Sequence, residues 1–515
     1  MNLAELAEHS AVRLGERMVL DFEGRRFTNW QLLDKARRLH RGFAKLGAGR
    51  GSIITMCLMN HPYVYSVFQG IFRTGSTVLP VMFMLAEPEL HYILKDSRSQ
   101  GVVTDAANLA KVHAAAKGLE HVLWIAAIGG QDDPLTSPPE YRLETLMEGE
   151  PQESLPEIDE DDVALMLYTA GTTGRPKGVM LTHKNLYAAA DAANEAGEFR
   201  RFKSPQIMIS ALPMAHIFGV SVMNAGYIAS GDVIGGYCVQ MSWFEPERFM
   251  QIIQHHRCTG TAAVPVMLIF ILNHPKVNDY DLSSLEEIVC GAAPLPAEIA
   301  FAFQEKYGCR IREIYGQTES AGIGSANRHS LPYKPGSAGK AYYNTDLKIF
   351  DDNDRPVPPL VRGEIVLRGP TVMKGYFNNP EATAEVLKNG WLHTGDIGYL
   401  DEEGYLFIVD RKKDMIIKGG ENIYPAELEE ILYGLPGIAE AAVIGKPDPL
   451  FGETVVAYLV LKPEVSLTEK AVIDFVRTRT SPFKAPSKVI FINALPKSPV
   501  GKILKRELRE RVVKE

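Results

Sequence analysis

The chain has 515 residues, 46% hydrophobic and 23% charged, fractions that exclude a disordered, collagenous or fibrous protein. Fifty-five Lys and Arg against 63 Asp and Glu leave a net charge of −8, so no nucleic-acid partner is expected, because sequence-independent binding needs a basic surface. Five dispersed cysteines (Cys57, Cys238, Cys258, Cys290 and Cys309), none in a CxxC pair, argue against a disulfide scaffold or a cysteine zinc site. They suit a reducing compartment, and a cytoplasmic location is expected. The first residues show no apolar signal region, and the longest apolar run, Ala262 to Leu272, is interrupted by Pro265 and too short to span a bilayer. No transmembrane segment is expected. Peripheral membrane contact and a homodimer both stay open.

Helices and strands alternate along the chain. Thr28 to Leu46 carries Leu32, Leu33, Ala36, Leu39, Phe43 and Leu46 at helical spacing and reads as an amphipathic helix. Ser52 to Met59 reads as a buried strand and His61 to Thr74 as a helix opened by Pro62. This alternation predicts α/β layers with a largely parallel sheet. Residues 128–160 are rich in Gly, Pro, Asp and Glu and read as surface loops leading to a strand at Val163 to Thr169. From about 336, short strands such as Asp346–Phe350 and Gly363–Leu367 are separated by turns, which suggests a smaller β-rich module. The charge run from Asp410 to Asp414 marks a domain boundary, giving domains at 1–410 and 411–515. The tail from Lys488 to Glu515 has eight Lys and Arg against three Glu and reads as a solvated face.

The strongest local chemistry lies at Tyr168 to Val179, directly after a strand. Gly171, Gly174 and Gly178 free the backbone to approach an anion; Thr169, Thr172 and Thr173 offer hydroxyl donors; Lys177 adds a point charge. Together they make a phosphate cradle that follows neither the Walker A nor the dinucleotide spacing.

This segment resembles the phosphate loop of the adenylate-forming enzymes, the superfamily of acyl- and aryl-CoA synthetases, luciferase and peptide-synthetase adenylation domains. The resemblance continues in order. Pro213 to Gly219, with His216, is similar to the acyl-site motif, and Gly291, Ala292 and Ala293 to the adenine-side loop. Tyr315, Gly316, Gln317, Thr318 and Glu319 resemble the segment that binds adenine, α-phosphate and Mg²⁺. Gly390 to Asp396 supplies a ribose carboxylate. Asp410 to Pro425, with Arg411, Lys418, Gly419, Gly420, Glu421 and Asn422, resembles the hinge and the segment that later lines the coenzyme A path. Pro496 to Lys502 carries the C-terminal lysine. One departure stands out: many members have Ser where this chain has Ala170, removing one hydroxyl donor worth about 0.5–1.5 kcal/mol.

The resemblance implies an α/β fold: a large N-terminal region of two α/β lobes plus a β-barrel, and a small mobile C-terminal α/β domain pivoting at Lys413. It implies ATP, Mg²⁺ and coenzyme A as cofactors. Joining a carboxylate to the α-phosphate of ATP opposes two anions, a repulsion of about 4 kcal/mol at 4 Å and an effective dielectric of 20. Lys502 is expected to bridge the two reactants, Glu319 to hold Mg²⁺, Thr318 to donate to the α-phosphate and Asp396 to accept the ribose hydroxyls. Tyr315 offers a face for adenine. His216 orients the substrate carboxylate and is not a base, since the acid is already ionised at neutral pH. Lys484 is a candidate contact for the coenzyme A phosphates.

The reading is an ATP-dependent acid–CoA ligase acting on a medium- or long-chain fatty acid, with an aryl acid as the alternative. The wall from Phe218 to Met223 and Val264 to Phe270 is apolar, with no Arg or Lys near His216 to hold a second carboxylate. An amino-acid adenylation module is the second class, disfavoured because Gly219 stands where such modules place an Asp near the substrate amine. A non-catalytic ATP sensor is the third, disfavoured by Lys177, Glu319, Asp396, Arg411 and Lys502 all being present.

Overall fold

The computed structural model describes residues 2–169, 175–198, 206–229, 236–497 and 502–514. They form four sheets with helices packed between and around them. The first sheet has eight strands in the order Gly375–Tyr376, Lys177–Thr182, Val163–Thr169, Thr77–Val81, Ile53–Cys57, Gly101–Asp105, Trp124–Ile128 and Glu140–Arg142. The second has nine, in the order Lys340–Ala341, Ser325–Ala326, Arg310–Tyr315, Glu287–Cys290, Gly260–Ala263, Ile207–Ser210, Tyr237–Gln240, Met18–Phe22 and Arg25–Thr28. The inner strands of both run parallel, as βαβ crossovers dictate.

The expected elements form with shifted ends. The helix read at 28–46 spans Asn29–Lys45, because Thr28 stays extended and its hydroxyl caps the Gln31 N–H at 3.2 Å. The helix read at 61–74 spans Pro62–Arg73, with His61 Nδ1 capping the Tyr63 N–H. The strand read at 52–59 is shorter, Ile53–Cys57. Pro265 splits the apolar run into the strand Gly260–Ala263 and a helix, Pro265–Leu272, that it opens. The loops expected over 128–160 are interrupted by an edge strand, Glu140–Arg142, and a helical turn, Leu143–Leu146.

The module after 336 is a five-stranded sheet of Asp346–Phe350, Gly363–Arg368, Trp391–Leu400, Leu387–Lys388 and Leu406–Arg411. It is curled into a half-barrel, the form the expected β-barrel takes here. A fourth sheet, built from 416–491, is buried on both faces. Val443, Val455, Ala457, Val472 and Val476 make one core, and Ala442, Ile444, Val456, Tyr458, Leu508 and Val512 make the other, the period-2 alternation of a two-faced strand. No helix among the described residues is long and apolar enough to cross a membrane.

The second sheet decides where a ligand can go. Its outer face packs on helices Pro246–His256, Pro265–Leu272 and Ala297–Tyr307 in a closed core. The inner face meets helices Leu3–Leu14, His183–Gly197 and Ile217–Ala229, and there the packing opens into a cavity.

Candidate active site

One continuous cavity of ≈ 2690 Å³ runs from the junction of the four sheets into the interior of the N-terminal region. Its mouth is built on the carboxyl ends of parallel strands, where loops converge on an open α/β crevice. Gly316 allows the turn after Arg310–Tyr315 to fold tightly. A Cβ there would lie 2.2 Å from the Gly322 carbonyl oxygen, so the segment 317–321 can return over its own backbone. That turn places Gln317, Thr318 and Glu319 on the cavity wall.

Glu319 is held by Tyr376, whose hydroxyl donates to Oε1 at 3.0 Å. Lys177, from the strand that pairs with Val163–Thr169, lies over the same Tyr376 ring at 5.2 Å. A cation, an aromatic hydroxyl and a carboxylate therefore line up along one wall. Tyr376 carried no signal in the sequence; only its pairing with Val179 brings it here.

Asp396 sits opposite. Tyr315 Oη donates to its Oδ2 at 2.8 Å, and Arg411 Nε lies 3.3 Å from Oδ1. The second contact follows from register, since Asp396 and Arg411 face each other across two antiparallel strands. Burial raises the Asp396 carboxyl, while Arg411, Tyr315, Lys502 and Lys413 pull it back. Lys502 is half-buried and lines the cavity. Burial lowers its ammonium, as do Arg411 and Lys413, and the charges of Asp396 and Glu319 oppose that. The C-terminal lysine thus stands within electrostatic reach of both carboxylates.

His216 also lines the cavity. Burial, followed by the Lys502 charge, pushes its imidazole down to about 4, so it is neutral at physiological pH. Its Nδ1 accepts the Phe218 N–H at 3.3 Å, which leaves the proton on Nε2 as a hydrogen-bond donor. The wall sequence offered no cation beside His216; the fold brings Lys502 within reach of it. Gly219 is sterically required: a Cβ would lie 2.3 Å from the Pro213 carbonyl oxygen. An Asp at 219 has no room.

Ala292 and Ala293 also line the cavity, Ala292 in the left-handed region at φ 70°. Gly291 does not line it and serves packing instead, since a Cβ would meet Ile314 at 2.6 Å. Glu313 lines the cavity too, unannounced by the sequence, with its carboxyl pushed up to about 8 by burial and by Glu430 of the fourth-sheet unit.

The deep branch arises from missing volume. Leu20, Cys238, Met208, Gly260 and Glu287 are in register across five strands and share one face. The helices opposite present Ala193, Ala196, Ala225, Gly226, Ala7 and Ala11. Cys238 and Gly260 on the sheet and the Ala and Gly residues on the helices leave a gap that close packing would otherwise fill. It extends over four inter-strand spacings of about 4.8 Å, or about 19 Å. Glu287 on this face is neutralised by Arg312 at 2.8 Å.

The segment 418–422 is elsewhere. It is a two-residue hairpin with Gly419 at φ 57° and Gly420 at φ 84°, and none of its residues lines the cavity. Lys418 Nζ donates to the Phe483 carbonyl at 2.7 Å between the Phe451 and Phe483 rings. Lys484 pairs with Glu427 at 3.6 Å. Ala170, Gly171, Thr172, Thr173 and Gly174 lie outside the described residues; Thr169 and Lys177, which flank them, both line the cavity.

Comparison with known proteins settles the family. The family model for AMP-binding enzymes matches residues 7–377, and the AMP-binding enzyme C-terminal domain matches residues 427–502. The chain belongs to the AMP-binding enzyme family. This AMP-binding enzyme is 35% identical to a long-chain-fatty-acid–CoA ligase of Bacillus subtilis (strain 168), over 99% of this chain and 94% of that protein. It is 37% identical to a feruloyl-CoA synthase of an Amycolatopsis species, over 95% of this chain and 94% of that one. Among solved structures it is similar to ATP-bound MatB from Rhodopseudomonas palustris, with a TM-score of 0.89 at 28% identity over 99% of both chains. It is an acid–CoA ligase of this family, working through an acyl-adenylate with ATP and CoA as co-substrates.

Proposed function

We propose that this AMP-binding enzyme is a long-chain fatty-acid–CoA ligase. The observation that carries this reading is the gap of about 19 Å leading inward past His216. At about 1.3 Å per carbon of an extended chain, it accepts roughly 15 carbons, far beyond the reach of an aryl acid. Beside the paired Glu287 and Arg312, its walls carry hydrocarbon and small side chains such as Leu20, Met208, Gly260 and Ala196, so an aliphatic tail is bound by burial of apolar area.

In this reading the acid's carboxylate lies at His216, oriented by the Nε2 donor. One carboxylate oxygen attacks the α-phosphorus of ATP, and pyrophosphate leaves. Lys502 lies between the two anions and stabilises the charge that builds as they meet. Thr318 donates to the α-phosphate and Asp396 accepts the ribose hydroxyls, with Tyr315 fixing its Oδ2. Thr169, Lys177 and the loop between them hold the β- and γ-phosphates. Glu319, a cavity-lining carboxylate oriented by Tyr376, fits a Mg²⁺ ion completed by phosphate oxygens and water. Such an ion would neutralise phosphate charge.

The second half-reaction needs a different arrangement. The thiol of CoA attacks the acyl carbon and AMP leaves. Residues 411–515 are taken as a lid that turns at Lys413, withdraws Lys502 and brings the 418–422 hairpin to the cleft. The position of Lys502 in the cleft and of that hairpin outside it supports assigning this arrangement to adenylate formation.

The test is AMP release with CoA and ATP across acids of 6 to 18 carbons, ferulate and benzoate. Highest kcat/KM between about 12 and 18 carbons is expected. A preference for ferulate or benzoate over every aliphatic acid overturns the long-chain reading.

A further inference from the structure

One helix of the C-terminal unit, Pro425–Tyr433, reaches the N-terminal region at two points one turn apart. Glu427 Oε1 lies 2.5 Å from Arg362 Nη2, beside the half-barrel strand Gly363–Arg368, and the same guanidinium lies 5.0 Å from the centre of the Tyr424 ring. Tyr424 is itself buried against Ile397 and Val409 of the half-barrel. Three residues on from Glu427, Glu430 Oε1 accepts the Ala297 N–H at 3.2 Å. Ala297 opens the helix Ala297–Tyr307, whose own N-cap residue, Pro296, makes no side-chain capping bond, so the cap comes from the other unit. Residues three apart share a helix face. Glu429 stands about 200° round the helix from Glu427 and pairs with Lys505 at 2.8 Å, three residues after Lys502. The helix therefore grips the N-terminal region with one face and the lysine-bearing segment with another.

We infer that Glu427 and Glu430 are a two-point latch that holds the lid in the adenylate-forming arrangement, with Arg362 as a receiver, and that all three are positioning residues for Lys502. This rests on the two-arrangement reading above and names what sets its balance. Arg362 and the Ala297 N–H belong to the N-terminal region and the two glutamates to the lid, so a turn at Lys413 parts both pairs. Glu427 keeps a partner when it leaves, because Lys484 of its own unit lies 3.6 Å from its Oε2. The latch can thus open without stranding that carboxylate. Glu430 is opposed by the charges of Glu298 and Glu313, so what it contributes is an acceptor oxygen rather than a negative charge. A half-exposed ion pair and a helix cap are each worth only a few-fold in an equilibrium, which suits contacts that must release in every catalytic cycle.

The experiment measures both half-reactions: pyrophosphate release from ATP and acid, and thioester formation from supplied acyl-AMP and CoA. The acid is the one with the highest kcat/KM in the panel above. Glu427→Ala, Arg362→Ala and Glu430→Ala are each expected to lower the first rate relative to the second by about threefold. Arg362→Ala combined with Glu427→Ala should lower it no further, because both remove one contact, whereas Glu427→Ala combined with Glu430→Ala should reach about tenfold. Glu430→Gln keeps the acceptor and should stay within about twofold of wild type. Glu427→Gln keeps the bulk without the charge and should behave as Glu427→Ala. An unchanged ratio in the variant lacking both glutamates, equal losses in both half-reactions, or losses that multiply between Arg362 and Glu427 each overturns the latch. Lys502→Ala in the same assay separates the two claims. If it lowers pyrophosphate release alone while the latch variants change no ratio, the latch falls and the two-arrangement reading stands; if it lowers both half-reactions alike, both fall.

Discussion

Replacing Lys502 by Ala tests the division of labour between the two halves of the reaction. The ammonium lies within reach of Asp396 and Glu319, in a region dry enough to lower it. A unit charge about 4 Å from the reacting carboxylate and phosphate is worth about 4 kcal/mol at an effective dielectric of 20. Losing it slows adenylate formation by roughly 10³-fold, since about 1.4 kcal/mol is a factor of ten. The assay has two arms: pyrophosphate release from ATP and hexadecanoate, and thioester formation from supplied hexadecanoyl-AMP and CoA. The first arm is expected to fall by about three orders of magnitude and the second to stay within a few-fold of wild type. The variant also removes the one neighbouring charge that acts on His216, so its imidazole pKa, read by NMR, rises from about 4. Equal loss in both arms, or a loss under tenfold in the first, refutes the placement of Lys502 as the adenylation cation.

Three further outcomes follow from the same geometry. Gly420→Leu puts a branched side chain at φ 84°, in a hairpin that does not line the cleft here; if the lid turns as proposed, thioester formation from acyl-AMP should fall at least tenfold while pyrophosphate release is kept. Gly226→Leu adds a side chain where a Cβ meets nothing within 4 Å, inside the gap, and should move the best substrate to acids several carbons shorter, seen as a crossing of the two chain-length profiles. Glu313 has a carboxyl raised to about 8 against an ordinary 4.5, so its contribution to folded stability is full below pH 4.5 and lost as pH rises through 8. Glu313→Gln should therefore flatten the fall in melting temperature between pH 5 and 9; an unchanged slope means that the Glu313 carboxyl titrates normally.

The two ends of the cavity differed in how far sequence could describe them. The end proposed to hold the nucleotide is made of residues in contiguous runs, such as Tyr315 to Glu319 and Gly390 to Asp396, whose chemistry is compressed into a few adjacent positions. Lys502 is distant, yet it sits in a run of its own. The deep branch has no such runs. Leu20, Cys238, Met208 and Gly260 lie on four strands far apart in the chain and become a surface only through sheet register. Ala193 and Gly226 look like ordinary helix residues until they are seen to face that surface. Tyr376 and Glu313 were missed for the same reason, since each acts through a neighbour remote in sequence. Helices and strands with regular apolar spacing were placed to within a few residues, because caps such as Thr28 and His61 decide the ends by side-chain hydrogen bonds that periodicity does not register. The edge strand Glu140–Arg142 was missed because three residues among Gly and Pro carry no period.

Because Gly260 and Cys238 of the sheet face helices that present Ala and Gly, the N-terminal region is folded around an interior it does not itself fill. On the long-chain reading, an acyl chain lying there is packed as a core side chain would be and acts as the last hydrophobic residue of the protein. Supply of the substrate acid should then act on the lifetime of the enzyme as well as on its rate, with protection from heat and proteolysis growing as the logarithm of acid concentration.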